Sequence, residues 1–424
     1  MECRRRAAPA SKALNGWRRT CEFLALRRNT VLVLAALVLA GTGERLWLGF
    51  APKYLETLGA TVLVIGLFDG LQTLLGAVYA WPGGWVTDRW GQRRSLLLFN
   101  ALSLAGYVVV LVWQHWLALL FGAFLFLAWS ALSLPATFAV IASSLDKRQH
   151  TMGVGVQSMV RRVPMIVGPL VGGWLITRYG WEQGIRYALI GCIGLSAATA
   201  VFQWCMVEAA GSEATGSVSS GISLRGVVKS FNPTLRELLV SDILIRFCER
   251  LPYAFIILWA MNHAGVSAKE YGWLVAIEMM TAMLCYIPVA HLADKHGQRP
   301  FVFATFVFFT LFPVSLLWAH SFGWLVVAFI VRGLKEFGEP ARKALIIAQA
   351  PPALRARTYG AYYLIRDCIV TTGSFLGAWL WSLSPQANFL SAALLGLCGT
   401  FWFWKFVWRK TGFPRAPDNS VKTS

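Results

Sequence analysis

Long apolar segments alternate with short polar ones along the chain, and this pattern predicts its secondary structure. Each apolar segment is long enough to cross roughly 30 Å of hydrocarbon as an α-helix. The segments lie at about 29–50, 61–82, 95–113, 116–141, 151–177, 185–207, 238–261, 270–290, 300–319, 322–348, 359–383 and 388–408. We therefore predict an all-α polytopic membrane protein with about 12 transmembrane helices.

The pattern is duplicated in sequence as well as in hydropathy. The segment GGWVTDRWGQRR at 83–94 returns as VAHLADKHGQRP at 289–300, and three further segments recur at nearly the same offset of about 205 residues. Two parallel six-helix repeats are typical of transporters. The predicted organisation is a basic tail at 1–28, an N-terminal half at 29–207, a Gly- and Ser-rich linker at 208–235, a C-terminal half at 236–408 and a tail at 409–424.

Composition agrees with a membrane protein. Hydrophobic residues make up 57% of the 424 residues, and charged residues only 14%. The mean hydropathy is +0.56. Such a chain has too little polar surface to coat a soluble globule of this length. We expect an integral membrane protein, located in a bacterial inner membrane and acting as a monomer within the lipid bilayer.

The positive charge is distributed very unevenly. The net charge is +19, and about 24 Lys and Arg residues fall in the tails and loops of one side, against about four on the other. This bias predicts that both termini are cytoplasmic. Because topology accounts for the basic excess, we expect no nucleic-acid partner.

The sequence contains no pattern typical of an enzyme or a metalloprotein. Its eight cysteines include no CxxC pair, and its six histidines form no HExxH motif. No nucleophile elbow or phosphate-binding GxxxxGK[ST] loop occurs. We predict no catalytic residues, no metal and no cofactor.

The duplicated loop carries a resemblance to a known family. Gly84, Asp88, Arg89, Gly91 and Arg93 resemble the signature loop of the major facilitator superfamily. The degenerate second copy keeps three of these positions, as Asp294, Gly297 and Arg299. The resemblance implies the superfamily's two-repeat fold and a cytoplasmic gate that this loop locks when the cavity opens outward. The alternative is a topological anchor with solvated charges.

The loop also makes physical sense by itself. Gly84 allows a neighbouring helix to approach closely, and Gly91 permits a tight turn. Asp88 can pair with Arg93 or with the positive N-terminus of a helix.

A second resemblance lies in the fifth apolar segment. Pro164, Gly168, Pro169 and Gly172 are similar to the glycine–proline motif of the superfamily's proton antiporters. Proline and glycine bend a helix, and the missing side chain of glycine allows a neighbouring helix to approach closely. The resemblance favours export, although the fourth apolar segment lacks the basic residue that those antiporters carry.

Ionisable residues inside the apolar segments are the main candidates for function. A lipid-facing charge costs roughly 2.5–3.5 kcal/mol near the bilayer centre, so these residues must face a cavity or one another. Candidates for the substrate cavity are Arg45, Gln72, Arg161, Arg162, Arg246, Glu249, Arg332, Glu336, Arg366 and Asp367. Structural ion pairs between helices are the alternative. The three arginines Arg161, Arg162 and Arg366 either hold an anionic group or neutralise nearby acids.

Proton coupling requires a carboxyl group that gains and loses its proton as access alternates. Asp69 and Glu44 are the first candidates, followed by Glu278. The sequence thus favours a secondary transporter that exports a small solute by alternating access, coupled to protons. A proton-linked importer of an organic anion, a lipid-moving variant and a non-transporting receptor on the same fold remain alternatives.

Overall fold

The computed structural model describes residues 28–133, 159–206, 224–350 and 355–408. These residues are almost entirely helical, and no β-strand occurs among them. The chain divides into two compact units. Unit 1 comprises Met1–Thr61, Leu71–Val218 and Ser267–Ala276, and unit 2 comprises Val62–Gly70, Ser219–Val266 and Ile277–Ser424. This outcome confirms the predicted all-α class.

Unit 1 is built mainly from helices of the N-terminal half. They are α1 (Arg28–Trp47), α2 (Ala51–Thr57), α3 (Val62–Trp90, from Leu71 onward), α4 (Gln92–Val112), α5 (Trp116–Phe126) and α6 (Arg162–Trp204). Helix α4 packs against α5 and α6, and α1 lies along α6. Phe99, Trp129 and Leu132 belong to the apolar core of this unit.

Unit 2 contains the remaining helices. They are α7 (Leu224–Lys229), α8 (Pro233–Arg250), α9 (Ile256–Asn262), α10 (Ala268–His296, from Ile277 onward), α11 (Arg299–Trp318), α12 (Phe322–Leu334), α13 (Glu339–Gln349), α14 (Arg355–Leu383) and α15 (Pro385–Trp402), which continues as a π-helical turn at Phe403–Trp408. Unit 2 also includes Val62–Gly70, the first part of α3. Helices α8 and α11 both pack against α15, and Phe306 and Tyr362 lie in the apolar core.

Eight helical segments in the described part of the chain are long and apolar enough to cross a membrane. They are Val31–Thr57, Val62–Tyr79, Gln92–Val112, Trp116–Ser133, Arg162–Trp204, Ala268–Ala293, Arg299–Trp318 and Pro385–Trp408. The other predicted spans coincide with helices that are shorter or carry more charge, namely α8 with α9, α12 with α13, and α14. The charged side chains that lie inside the predicted spans therefore concentrate in unit 2.

Two differences from the predicted pattern stand out. The apolar segment at 322–348 is two helices, because the turn at Lys335–Gly338 separates α12 from α13. The short helix α7 lies inside the segment predicted as a linker. By contrast, α6 consists of two helices that meet at Gly180, where φ is +80°, and this break lies between the predicted fifth and sixth spans. Parts of the predicted tails, linker and fourth and fifth spans lie outside the described residues.

Candidate functional site

A network of buried ion pairs runs through unit 2, and we call it the unit 2 charge network. It joins five carboxylates to five cations, which are Asp242, Arg246, Glu249, Glu278, Arg332, Lys335, Glu339, Arg342, Arg366 and Asp367. Helix α8 supplies three members at positions i, i+4 and i+7, which share one helical face. The remaining members come from α10, α12 and the turn after it, α13 and α14.

Asp242 is the most buried carboxylate of the network, with 0% of its side chain exposed. Arg342 on α13 forms an ion pair with its Oδ1 atom, and Arg366 Nη1 on α14 lies 3.4 Å from its Oδ2 atom. The hydroxyl group of Tyr362 donates to Oδ2 at 3.2 Å. All of these groups are withdrawn from water. The buried charge of Asp242 is therefore stable only while its cationic partners remain in place.

Glu339 connects two helices of the network. It is the first residue of α13, where a negative charge favours the helix dipole. Its Oε2 atom lies 2.7 Å from Arg342 Nη2 and 3.3 Å from Arg246 Nη2. The turn at Lys335–Gly338 places this carboxylate against α8, a contact that an unbroken helix would not give.

Two further carboxylates share one lysine. Lys335 Nζ lies 2.6 Å from Glu249 Oε1 and 3.9 Å from Glu278 Oε1. Arg332 Nη1 lies 3.0 Å from Glu278 Oε2, and Arg246 Nη1 lies 2.7 Å from Glu249 Oε2. Several members each contact two partners of opposite charge. The loss or gain of one charge therefore changes how well the neighbouring charges are neutralised.

A second, smaller site in unit 2 surrounds Asp69 on α3, and we call it the Asp69 cluster. Asp69 Oδ1 lies 2.9 Å from Arg250 Nη2, at the end of α8. Arg250 also donates to the backbone carbonyl oxygen of Asp69 at 2.6 Å. The hydroxyl group of Ser374 on α14 donates to Asp69 Oδ2 at 2.7 Å and accepts from Arg250 Nε at 3.0 Å. One buried carboxylate thus joins segments of three helices.

Unit 1 contains a small polar cavity of about 70 Å³, which we call the unit 1 cavity. Its lining includes Glu44, Arg45, Ser130 and Arg161, together with apolar side chains from α1, α6 and the segment around Trp129. Glu44 is only 7% exposed. The side chains of Ser130, Arg45 and Arg161 lie around its carboxylate in the cavity lining.

Close packing of α1 against α6 positions the unit 1 cavity. A Cβ atom on Gly168 would lie 2.4 Å from the Cβ of Arg45, and one on Gly172 would lie 1.8 Å from the backbone oxygen of Leu46. Only glycine fits at these two positions. Pro164 lies in the first turn of α6 and lines the cavity, and Pro169 lies further along the same helix.

The duplicated loop is described only in part. Gly91 separates α3 from α4 with φ of +81°, and Gly297 separates α10 from α11 with φ of +87°. The Arg93 guanidinium lies 4.7 Å above the ring of Trp204, and that of Arg89 lies 5.6 Å above Trp85. Arg299 begins α11. Gly84 and the carboxylates of Asp88 and Asp294 lie outside the described side chains.

The structure separates the predicted site residues into these groups. Arg246, Glu249, Glu278, Arg332, Arg366 and Asp367 join the unit 2 charge network, while Glu44, Arg45 and Arg161 meet in the unit 1 cavity. Gln72 is half-buried on α3, Arg162 begins α6, and Glu336 is half-buried in the turn after α12. Asp69 forms a cluster of its own.

Three important residues were missed by sequence reasoning. Arg342 was not among the predicted site residues, although its spacing of three from Glu339 was a usable signal. Ser374 and Ser130 reach their carboxylates through tertiary contacts. No local pattern distinguishes them from other helix serines.

Comparison with known proteins agrees with this architecture. The sequence profile of the Major Facilitator Superfamily matches residues 33–248 and 238–423. The multidrug resistance protein MdtG of Escherichia fergusonii is 23% identical over 406 residues, which cover 92% of this chain and 96% of that protein.

Two solved structures show the same fold. The nucleoside transporter NupG gives a TM-score of 0.72 at 15% identity, covering 92% of this chain and 100% of that chain. The human organic anion transporter MFSD10 gives a TM-score of 0.60 at 16% identity, covering 89% and 99%. The family consists of transporters, so the prediction that the chain is not an enzyme is confirmed. The profile covers both halves of an integral membrane chain, and the protein therefore belongs to the Major Facilitator Superfamily.

Proposed function

We propose that this transporter exports small amphipathic solutes from the cytoplasm in exchange for protons, with Asp69 as the main coupling carboxylate. The observation that carries the proposal is the Asp69 cluster, in which a buried acid has Arg250 as its ion partner at 2.9 Å. The name of the E. fergusonii relative, a multidrug resistance protein, supports export.

The coupling step follows from the charge balance of the Asp69 cluster. An ionised Asp69 neutralises Arg250, so the pair can remain buried. Protonation of Asp69 removes that compensation and leaves the guanidinium without its counter-charge. Because an uncompensated buried charge costs several kcal/mol, the protonated state favours an arrangement in which α3, α8 and α14 separate and Arg250 meets water or another anion. Proton binding is thereby linked to a movement of helices.

Other parts of the chain receive supporting roles in this proposal. Glu44 and Glu278 are secondary candidates for proton transfer, and the remaining charged residues line the solute path. The halves at 29–207 and 236–408 alternate access around that path. The duplicated loop, through Asp88 and Asp294, controls the cytoplasmic gate. The chain acts as a monomer in a bacterial inner membrane, with both termini in the cytoplasm.

A second candidate function is import of an organic anion together with protons. The specific observation in its favour is the pair of arginines beside one acid in the unit 1 cavity. The structural similarity to MFSD10, a human organic anion transporter, adds some support.

The direction of proton movement distinguishes the two functions. Purified protein would be reconstituted into liposomes that contain a pH-sensitive dye and have an acidic lumen. Ethidium carries a permanent charge and cannot transport protons by itself, so it is a suitable cationic test solute. Aromatic carboxylates would serve as the anionic test solutes.

Exchange predicts that ethidium entry raises the luminal pH, and that protein-free liposomes show no such rise. Solute entry that lowers the luminal pH would support the importer instead. Protein-dependent solute entry with no pH change would contradict proton coupling in either direction.

A further inference from the structure

The unit 1 cavity contains more positive than negative charge. Arg45 and Arg161 line it together with a single carboxylate, Glu44. Among the residues that the structure describes, neither guanidinium has a carboxylate within 4.0 Å. The two guanidinium groups also lie close enough to repel each other. The described lining therefore has a net surplus of about one positive charge.

The internal repeat shows that this surplus is specific to unit 1. At the offset of about 205 residues, Arg45 corresponds to Arg250 and Arg161 corresponds to Arg366. Both arginines of unit 2 have carboxylate partners, since Arg250 pairs with Asp69 and Arg366 pairs with Asp242 and Asp367.

The acids that pair with Arg250 and Arg366 have no acidic counterparts in unit 1, although another acid of unit 2, Glu249, corresponds to Glu44. At the same offset, Asp242 corresponds to Leu37, which lines the unit 1 cavity, and Asp367 corresponds to Arg162. The lysine that pairs with Glu249, Lys335, corresponds to Ser130. The described lining of the unit 1 cavity therefore contains both arginines but a single carboxylate, Glu44, so one positive charge is left for an anion from outside the chain.

The rest of the lining defines the chemistry of that anion. Leu37, Trp129, Pro164 and Met165 form apolar walls, so an aromatic or aliphatic body can pack beside the charged group. A volume of about 70 Å³ accommodates a carboxylate head group, since a cavity needs only roughly 10–15 Å³ to hold one water. A surplus of one positive charge matches a monoanion better than a dianion.

We propose that the unit 1 cavity binds the carboxylate group of an amphipathic organic monoanion, with Arg45 and Arg161 as its ligands. Guanidinium groups suit this task because their planar N–H donors match the two oxygens of a carboxylate. The inference rests on the proposed transport function to the extent that the bound anion is a transported solute. Binding itself requires no transport.

The test measures binding to purified protein by calorimetry, using acids and their neutral amides of the same shape. Suitable pairs are 2-naphthoate with 2-naphthamide, indole-3-acetate with indole-3-acetamide, and 4-phenylbutyrate with 4-phenylbutyramide. We expect each acid to bind about tenfold more tightly than its amide, or better, because a charge-assisted hydrogen bond is worth about tenfold or more in affinity.

Four variants test whether the unit 1 cavity is responsible for the preference for acids over amides. Arg161→Gln and Arg45→Gln should each lower the affinity for the acids about tenfold and leave the amides unchanged. Glu44→Gln should raise the affinity for the acids, because it removes the only negative charge that the described lining contributes. Arg178→Gln is the matched control, since Arg178 is exposed on α6, the helix that Arg161 directly precedes.

Equal affinity for acid and amide in all three pairs would overturn the proposal, as would an unchanged preference in Arg161→Gln and Arg45→Gln. If an arginine variant fails to fold, the gain expected for Glu44→Gln still decides the question. Ethidium-driven proton movement without an anion preference would refute this inference alone. An anion preference without any proton movement would refute the proposed proton coupling alone.

Discussion

At the scale of single residues, the charged side chains of unit 2 are held by partners on other helices. Asp242 has two arginine partners and a tyrosine, and Glu339 has two arginines. Replacing both members of a buried pair by apolar groups can be harmless, whereas removing one member leaves a charge without compensation. Single substitutions in the unit 2 charge network should therefore be far more damaging than their surface equivalents.

Asp242→Asn provides the corresponding stability prediction. It leaves the nearly fully buried Arg342 and Arg366 short of one negative charge, so we expect a loss of about 3–5 kcal/mol in the free energy of unfolding. The measurement is thermal unfolding in detergent, followed by tryptophan fluorescence. Lys343→Gln is the control: its side chain is 45% exposed, and its pair with Glu339 is worth about 0–1 kcal/mol. Similar losses for both variants would show that the ion pairs of Asp242 contribute no more to stability than an exposed pair does.

The sequence predicted part of this arrangement. The spacing of Asp242, Arg246 and Glu249 indicated one polar face of a helix, because residues four and three apart are neighbours. The identity of their partners was not predictable, since it depends on how α13 and α14 lie against α8. Arg342 is the clearest example, because the turn after α12 changes the direction in which it points.

At the scale of helices, the tight packing of α1 on α6 is the feature that shapes unit 1. Gly168 and Gly172 follow each other at a spacing of four and face α1, so the two backbones approach closely. The glycine–proline pattern of this segment was visible in the sequence. Its partner helix also carries small residues, since a Cβ atom on Gly41 of α1 would lie 3.1 Å from Pro164, but the sequence alone does not show that these two helices pair.

Gly172→Ala tests this packing. The new Cβ atom would lie 1.8 Å from the backbone oxygen of Leu46, which no side-chain movement can relieve, so we expect a loss of about 1–3 kcal/mol or more. Gly194→Ala, in the part of α6 beyond the break at Gly180, is the control. Its Cβ atom would meet nothing within 4 Å, and alanine should gain about 0.5–1 kcal/mol there. Equal melting temperatures for the two variants would contradict the packing.

The break between α12 and α13 shows where hydropathy alone is insufficient. The segment is apolar enough to be predicted as one span, but Gly338 lies in a turn and its backbone N–H donates to the Thr305 hydroxyl at 2.6 Å. A Cβ atom on Gly338 would lie 2.4 Å from the backbone oxygen of Phe301. This tertiary contact with α11 fixes the turn, and the position of Glu339 follows from it.

At the scale of the whole molecule, the hydropathy pattern and the internal repeat predicted the all-α, two-repeat fold. Hydrophobic length is set by the bilayer, so the approximate positions of the spans could be predicted without any tertiary information. The two compact units do not follow the sequence halves completely. Val62–Gly70 belongs to unit 2 and Ser267–Ala276 to unit 1, because the ends of α3 and α10 pack on helices that are distant in sequence.

The charge bias makes a prediction about topology. Lys269 and Gln386 should face the outside of the cell, whereas Ser217 and the C-terminus should face the cytoplasm. The measurement is labelling of Gln386→Cys and Ser217→Cys in intact cells with an impermeant maleimide. All eight native cysteines are first replaced by alanine, because three of those in the described part of the chain, Cys205, Cys368 and Cys398, are exposed. Labelling of position 217 but not 386 from outside would reverse the assigned orientation.

The central claim is that Asp69 couples proton movement to solute movement through its contact with Arg250. The most direct measurement compares, in the same proteoliposomes, uphill solute transport driven by a pH gradient and solute exchange without a gradient. For Asp69→Asn we predict loss of gradient-driven transport with exchange retained, because exchange requires no net proton movement. The control Glu56→Gln, which changes an acid 37% exposed on α2, should behave like the wild type. Normal uphill transport by Asp69→Asn would contradict the claim and move the proton site to Glu44 or Glu278.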